Sequence, residues 1–208
     1  MLCGIDEAGR GSVLGDLVIA GISCSEDEIE RLEEIGVKDS KKLSRSERAK
    51  LYKKLVSEFE YLVVKITPPE IDKRSISLNK LEGEKFAEII NIIKPERAYV
   101  DCADVIPANF RSYIMKKLNR ACELVIEHKA DVAYPIVSAA SIIAKVERDE
   151  GIKKLEEEYG DIGSGYPSDP KTIAFIENWY RKNHFMPSFV RKSWKTTSRV
   201  KNRRLSEF

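Results

Sequence analysis

The chain has 208 residues, 42% of them apolar and 34% charged, with a net charge of +2. That length buries a core without disulfide staples. The four cysteines, Cys3, Cys24, Cys102 and Cys122, show no CxxC or Cys/His spacing, which excludes a zinc ribbon or a dithiol redox motif. Asp6 and Glu7 interrupt the N-terminus before an apolar run can form, so neither a signal peptide nor a membrane span is expected, and the reading is of a cytoplasmic protein.

In chain order, residues 2–5 and 17–22 read as short apolar strands around a glycine-rich turn, and 61–66 as a third. Ser44 and Glu47 have capping-box spacing, and Leu51, Leu55 and Phe59 follow at helical intervals. Phe86, Ile89, Ile90 and Ile93 mark a helix over 81–93, which Pro95 closes before a strand at 98–101. A helix over 110–118, a strand at 124–127, a helix opening at Pro135 and a last helix through Ile173, Ile176 and Tyr180 complete the pattern. Three strands followed by alternating helices and strands predict an α/β fold with a mixed sheet. Residues 1–181 are expected to form the body. Residues 182–208 form a basic segment with eight Lys/Arg against Glu207, leaving the remainder at −5. Such a segment suits contact with phosphates, and equally a solvated end. The charged excess in Lys, Glu and Arg is also a habit of proteins from hot environments.

Asp6 and Glu7 close one predicted strand, Asp101 closes another and Asp131 lies just beyond a third, so acids collect at one edge of the sheet, where ligands favour the carboxyl ends of strands. Side chains alternate along a strand, so Asp6 and Glu7 share a face only if the backbone turns there, as Gly9 and Gly11 allow. Gathered carboxylates repel one another unless a cation neutralises them. Oxygen-only donors suit Mg²⁺ or Mn²⁺, and two such ions about 4 Å apart serve phosphodiester cleavage. Acids at strand ends are also ordinary turn residues, and spacing alone leaves both readings standing. The Gly9 to Gly15 run imitates a dinucleotide-binding turn, but its last glycine is one place late, no capped helix follows, and the preceding acids would oppose a pyrophosphate.

Gly4-Ile5-Asp6-Glu7-Ala8-Gly9-Arg10-Gly11 closely resembles the opening motif of the type 2 ribonucleases H. Five further segments match that family in order: Lys38-Asp39-Ser40-Lys41-Lys42-Leu43, Tyr99-Val100-Asp101, the archaeal-like Glu127-His128-Lys129-Ala130-Asp131, residues 138–149 from Ser138 to Asp149, and Gly163-Ser164-Gly165-Tyr166-Pro167-Ser168-Asp169-Pro170. The resemblance implies a ribonuclease H-like fold: a five-stranded mixed sheet flanked by helices, with a C-terminal helical extension. It implies an endoribonuclease that hydrolyses the RNA strand of RNA/DNA hybrids and cuts 5′ of ribonucleotides embedded in duplex DNA, leaving 3′-hydroxyl and 5′-phosphate ends. By motif position, Asp6, Glu7, Asp101 and Asp131 would be the catalytic tetrad holding two Mg²⁺ or Mn²⁺ ions. Gly9, Arg10 and Gly11 would meet the ribose 2′-hydroxyl, and Tyr166 would read the junction. Lys41, Lys42, Ser138 and Lys145 would contact phosphates, while His128 and His184 are expected to be structural. The sequence departs from the family at Ser12 and Asp16, where prolines are common, which bears on junction affinity more than on chemistry.

A DNA-acting nuclease of the same superfold, or a non-catalytic nucleic-acid-binding module, would use the same acids or the same basic tail. The Gly9-Arg10-Gly11 and Tyr166 pair argues against the former. A type 3 ribonuclease H would need an N-terminal binding domain for which a motif beginning at residue 4 leaves no room. Finally, residues 202–208 resemble a shortened sliding-clamp-binding peptide, with Leu205 and Phe208 as anchors and Asn202 replacing its usual glutamine. A frayed end folding back on the body is the other reading. A monomer is expected.

Overall fold

The structure is a computed structural model and describes residues 1–37 and 43–205, with the side chains of 203–205 outside the description. Its elements run β1 (Leu2–Ala8), β2 (Leu17–Cys24), α1 (Ile29–Ile35), α2 (Arg45–Glu58), β3 (Glu60–Ile66), α3 (Pro68–Lys73), α4 (Leu78–Ile93), β4 (Arg97–Asp101), α5 (Pro107–Met115), β5 (Glu123–Glu127), α6 (Ala130–Ala133), α7 (Pro135–Tyr159), α8 (Pro170–Asn183) and α9 (Lys195–Leu205). The five strands form one mixed sheet of order β3-β2-β1-β4-β5. The β1/β2 pair is antiparallel, and β1/β4 and β4/β5 are parallel. No helix among the described residues is long and apolar enough to cross a membrane.

The chain divides into two compact units, one of Met1–Ala8, Val18–Val64 and Ile76–Glu147, the other of Gly9–Leu17, Lys65–Ser75 and Arg148–Phe208. Each has its own core. In the first, Ala20 and Ile22 of β2, Leu55 of α2 and Ile136, Val137, Ala140 and Ile143 of α7 are buried together, while Phe86 of α4 meets Phe110 of α5 edge to face at 5.2 Å. In the second, Val13, Leu14, Ile162, Ile176, Phe189 and Val190 are buried together. The basic segment 182–208 belongs to that second unit.

Local chemistry explains most boundaries. The capping box forms as its spacing predicts: Ser44 Oγ accepts from the Glu47 amide at 3.2 Å, and the Glu47 carboxylate accepts from the Ser44 amide at 2.7 Å. α3 carries the same device at Thr67 and Glu70, a capping box that reading by apolar periodicity passes over because the helix is a single short stretch. α4 starts earlier than its apolar positions suggest, at the Ser77 cap, and α5 starts at Pro107 instead of Phe110. At Gly4 the absence of a side chain matters, because a Cβ there would fall on the Ile136 carbonyl in the first turn of α7. The strand and that turn are in backbone contact.

Candidate active site

β1 does not end before its acids. The strand runs through both, with Asp6 opposite Ala20 and Glu7 opposite Ile19, and the chain turns only after Ala8, at Gly9 with φ 83°. Ladder hydrogen bonding to β2 outlasts the apolar run 2–5 and carries the strand past both acids to Ala8. By strand alternation Asp6 and Glu7 point to opposite faces.

The parallel register sets Ile5 beside Val100, so the next residues, Asp6 and Asp101, follow side by side on adjacent strands. Asp6 is 4% exposed. Burial above all pushes its carboxyl up to about 7; the Ser141 hydroxyl's hydrogen bond opposes this, and the Asp101 charge adds to it. The Glu7 amide donates to Asp6 Oδ1 at 2.7 Å. Asp101 Oδ1 accepts from the Ala130 amide at 2.7 Å, which ties β4 to the residue before Asp131. That amide is aimed by Lys129, which occupies the left-handed region at φ 61° and caps α6. Asp131 itself is buried, 4% exposed. Glu7 belongs to the same edge: burial raises the Cys102 thiol pKa, a hydrogen bond to the Asp104 carbonyl opposes the rise, and the charges of Asp104, Asp101 and Glu7 add to it.

The acids therefore meet in linked pairs. Among the described residues no group of three or more His, Cys, Asp and Glu side chains stands as a ready-made metal cage. The donor chemistry nevertheless fits a hard divalent cation, because the groups are carboxylates and Asp6 is burdened by burial and a neighbouring like charge that a cation would offset.

The phosphate contacts expected on α7 fare differently. Lys145 donates through Nζ to Ser141 Oγ at 2.7 Å and lowers the Asp6 pKa by its charge. Ser138 is 2% exposed and its hydroxyl donates to the Val37 carbonyl. In the structure the Ser138 hydroxyl is thus engaged internally, because an early residue of a buried helix face is turned inward. Ser141, missed by sequence reasoning, is a buried polar residue in an otherwise apolar helix stretch, and that mismatch is the signal for it. Lys41, Lys42 and Phe208 lie outside the described residues, as does the side chain of Leu205.

The Gly9-Arg10-Gly11 turn and Tyr166 fall in the second unit. Gly11 is exposed and Arg10 and Tyr166 are half-buried. The turn is held from below by Arg191, which is fully buried and equally unmarked in the sequence. Its Nε and Nη2 each stand 3.1 Å from the Gly15 carbonyl and its Nη1 2.9 Å from that of Arg10. Asp16 is half-buried; burial raises its pKa, and the charges of Lys65 and Arg191 oppose the rise. His128 approaches the Val105 carbonyl at 3.2 Å, and His184 takes the left-handed C-cap of α8.

A mixed five-stranded sheet with paired carboxylates on its two inner parallel strands defines a hydrolase of the ribonuclease H class. Residues 3–197 match the family model of ribonuclease HII. A ribonuclease HII of Pyrococcus furiosus is 50% identical over 95% of this chain and 89% of its own length. The ribonuclease H2 structure from Pyrococcus horikoshii OT3 superposes with a TM-score of 0.92 at 49% identity, covering 97% of each chain. The ribonuclease HII in a PCNA complex from Archaeoglobus fulgidus gives 0.89 at 45% identity over 100% of both. The chain belongs to the ribonuclease HII family and is a ribonuclease H.

Proposed function

We propose that the enzyme hydrolyses the RNA strand of RNA/DNA hybrids and cuts on the 5′ side of ribonucleotides embedded in duplex DNA. The observation that carries this reading is the adjacency of Asp6 and Asp101 on β1 and β4, with Asp131 one residue beyond the amide that Asp101 holds. Asp6, Glu7, Asp101 and Asp131 would hold two Mg²⁺ or Mn²⁺ ions. When bound, such ions supply a nucleophilic water and charge stabilisation at the phosphate. The chain's own contribution is placement. Ser141 and Lys145 steady Asp6, and the Ala130 amide steadies Asp101. Neither His128 nor His184 neighbours the acid pair in any interaction described, so no histidine base enters the reading.

Gly9, Arg10, Gly11 and Tyr166 would read the 2′-hydroxyl and the junction, with Lys41, Lys42 and Lys145 on phosphates. The C-terminal residues Leu205 and Phe208 would dock on the replication sliding clamp, a reading supported by the assembly of the Archaeoglobus relative with PCNA. Titrating the clamp with the whole chain and with a form ending at Lys201 tests this; equal binding by both ends it.

The activity is tested with a duplex carrying one ribonucleotide, an RNA/DNA hybrid and an all-DNA duplex, each with Mg²⁺ and with chelator. Metal-dependent cutting confined to ribonucleotide-containing strands is expected. Cutting of the all-DNA duplex would favour a DNA nuclease of the same superfold, and binding without cutting a non-catalytic module.

A further inference from the structure

Tyr166 is not a free loop side chain. The Arg148 guanidinium lies over its ring with Cζ 4.5 Å from the centroid, a cation–π contact made from a position only 6% exposed. The same guanidinium donates through Nη2 to the Ser164 carbonyl and, at 3.2 Å, to Ser12 Oγ. The Ser12 hydroxyl is shared between the carbonyls of Leu14 at 2.6 Å and Gly165 at 2.8 Å. That Gly165 carbonyl also accepts from the amides of Val13 and Leu14, at 2.8 and 3.2 Å. The residue before Tyr166 is therefore fixed to the segment just after Gly9-Arg10-Gly11, and one buried cation touches both. Gly165 itself, at φ 82°, leaves the space: a Cβ there would sit 2.9 Å from Arg148 Nη2 and 3.1 Å from Ser12 Oγ.

We propose that Arg148 and Ser12 are positioning residues for junction recognition, holding Tyr166 and the Gly9-Arg10-Gly11 turn in one fixed relation and covering one face of the phenol so that a substrate sugar or base meets only the other. This rests on the proposed reading of Tyr166 as the junction-sensing aromatic. A planar guanidinium is the side chain that stacks on a ring while donating in two directions in its own plane; a lysine ammonium keeps the charge and loses the plate. The arrangement predicts that Arg148 acts on specificity through Tyr166, so its effect vanishes when the ring is gone.

The test is a double-mutant cycle on the full chain with Mg²⁺, reading kcat/KM on a lone embedded ribonucleotide divided by kcat/KM on a continuous hybrid. Arg148→Lys and Ser12→Ala should each lower that ratio about fivefold, the scale of one partly desolvated cation–π contact. In a Tyr166→Ala background neither should lower it further. If Tyr166→Ala alone leaves the ratio unchanged, the junction reading of Tyr166 falls. If Tyr166→Ala lowers it but Arg148→Lys and Ser12→Ala do not, or lower it equally with and without the ring, the positioning role falls and the Tyr166 reading survives. Should Arg148→Lys fail to fold by thermal unfolding, Ser12→Ala, which removes one hydroxyl, carries the cycle alone under the same criteria.

Discussion

In the first unit Asp6 and Asp101 are adjacent carboxylates on neighbouring strands, and burial with like charge makes ionisation of Asp6 costly. In the second, Arg148 and Arg191 are buried cations set among carbonyls, a hydroxyl and aromatic rings, with Arg148 also paired to the Asp149 carboxylate at 3.1 Å and Arg191 Cζ 5.1 Å from the Trp194 centroid. The two regions bury charge for different ends. The acid edge keeps a mutual repulsion that a divalent cation would offset, and so would trade stability for affinity. The cation-braced turns use buried charge to fix backbone shape, because a carbonyl facing a guanidinium cannot swing to water without stranding both partners. Substitution should therefore cost the first region activity and the second stability.

The largest effect is expected at Asp101→Asn, which removes a carboxylate charge while keeping the shape: cleavage of the hybrid should fall by a factor on the order of 10² to 10³ or more, with hybrid binding in chelator retained. Initial rates and a mobility-shift titration check it, and near-wild-type cleavage would break the comparison at its first term. Arg191→Met should lower unfolding free energy by about 3 kcal/mol, since it strands the carbonyls of Gly15 and Arg10 in a buried site. Urea denaturation measures this, and a loss below about 1 kcal/mol would mean that the turn is held by something other than its cation. Gly165→Ala should cost about 1–2 kcal/mol in the same assay, because the new Cβ must adopt a left-handed backbone conformation and crowd Arg148.

The smallest effect sharpens the comparison through pH. The half-buried Asp169 carboxylate accepts from the Ser164 amide at 2.6 Å and from the Lys171 amide at 3.0 Å, and these hydrogen bonds hold its pKa below the ordinary aspartate value. A carboxyl whose folded pKa is depressed contributes stability that is complete above the unfolded pKa and is lost as pH falls through the folded one. Between the ordinary aspartate range and the acid side of it, the wild type should lose more stability than Asp169→Asn. Parallel pH profiles of thermal unfolding for the two proteins would remove Asp169 from the account of the Tyr166 loop.

The α/β class and most elements were legible because they rest on local signals: the Ser44 capping box, the apolar face of α4, and Pro135 at the start of α7. The short helices α3 and α6 carry too few apolar residues to show a period, α1 shows its Ile29, Leu32 and Ile35 spacing over only two turns, and the length of β1 depends on pairing with β2 that no local pattern records. At the site, Asp6 and Asp101 were visible as acids after apolar runs, and the register that makes them neighbours is a property of the sheet. Ser141, Arg148 and Arg191 were illegible as site residues for the opposite reason. A polar residue on a helix or in a basic segment reads as solvent-facing, and only tertiary packing turned these three inward.

Gly4 gives the acid edge a mechanical property. Because the first turn of α7 rests on the bare backbone of β1 two residues before Asp6, the gap between strand and helix is set by peptide groups in contact, which are far stiffer than interleaved side chains. The helix that carries Ser141 and Lys145 is thereby gauged against the strand that carries Asp6, as a machinist sets a tool against a hard stop. Even a single methyl at position 4 would lift that stop, and the error would be passed along α7 to the very hydroxyl that steadies the carboxylate.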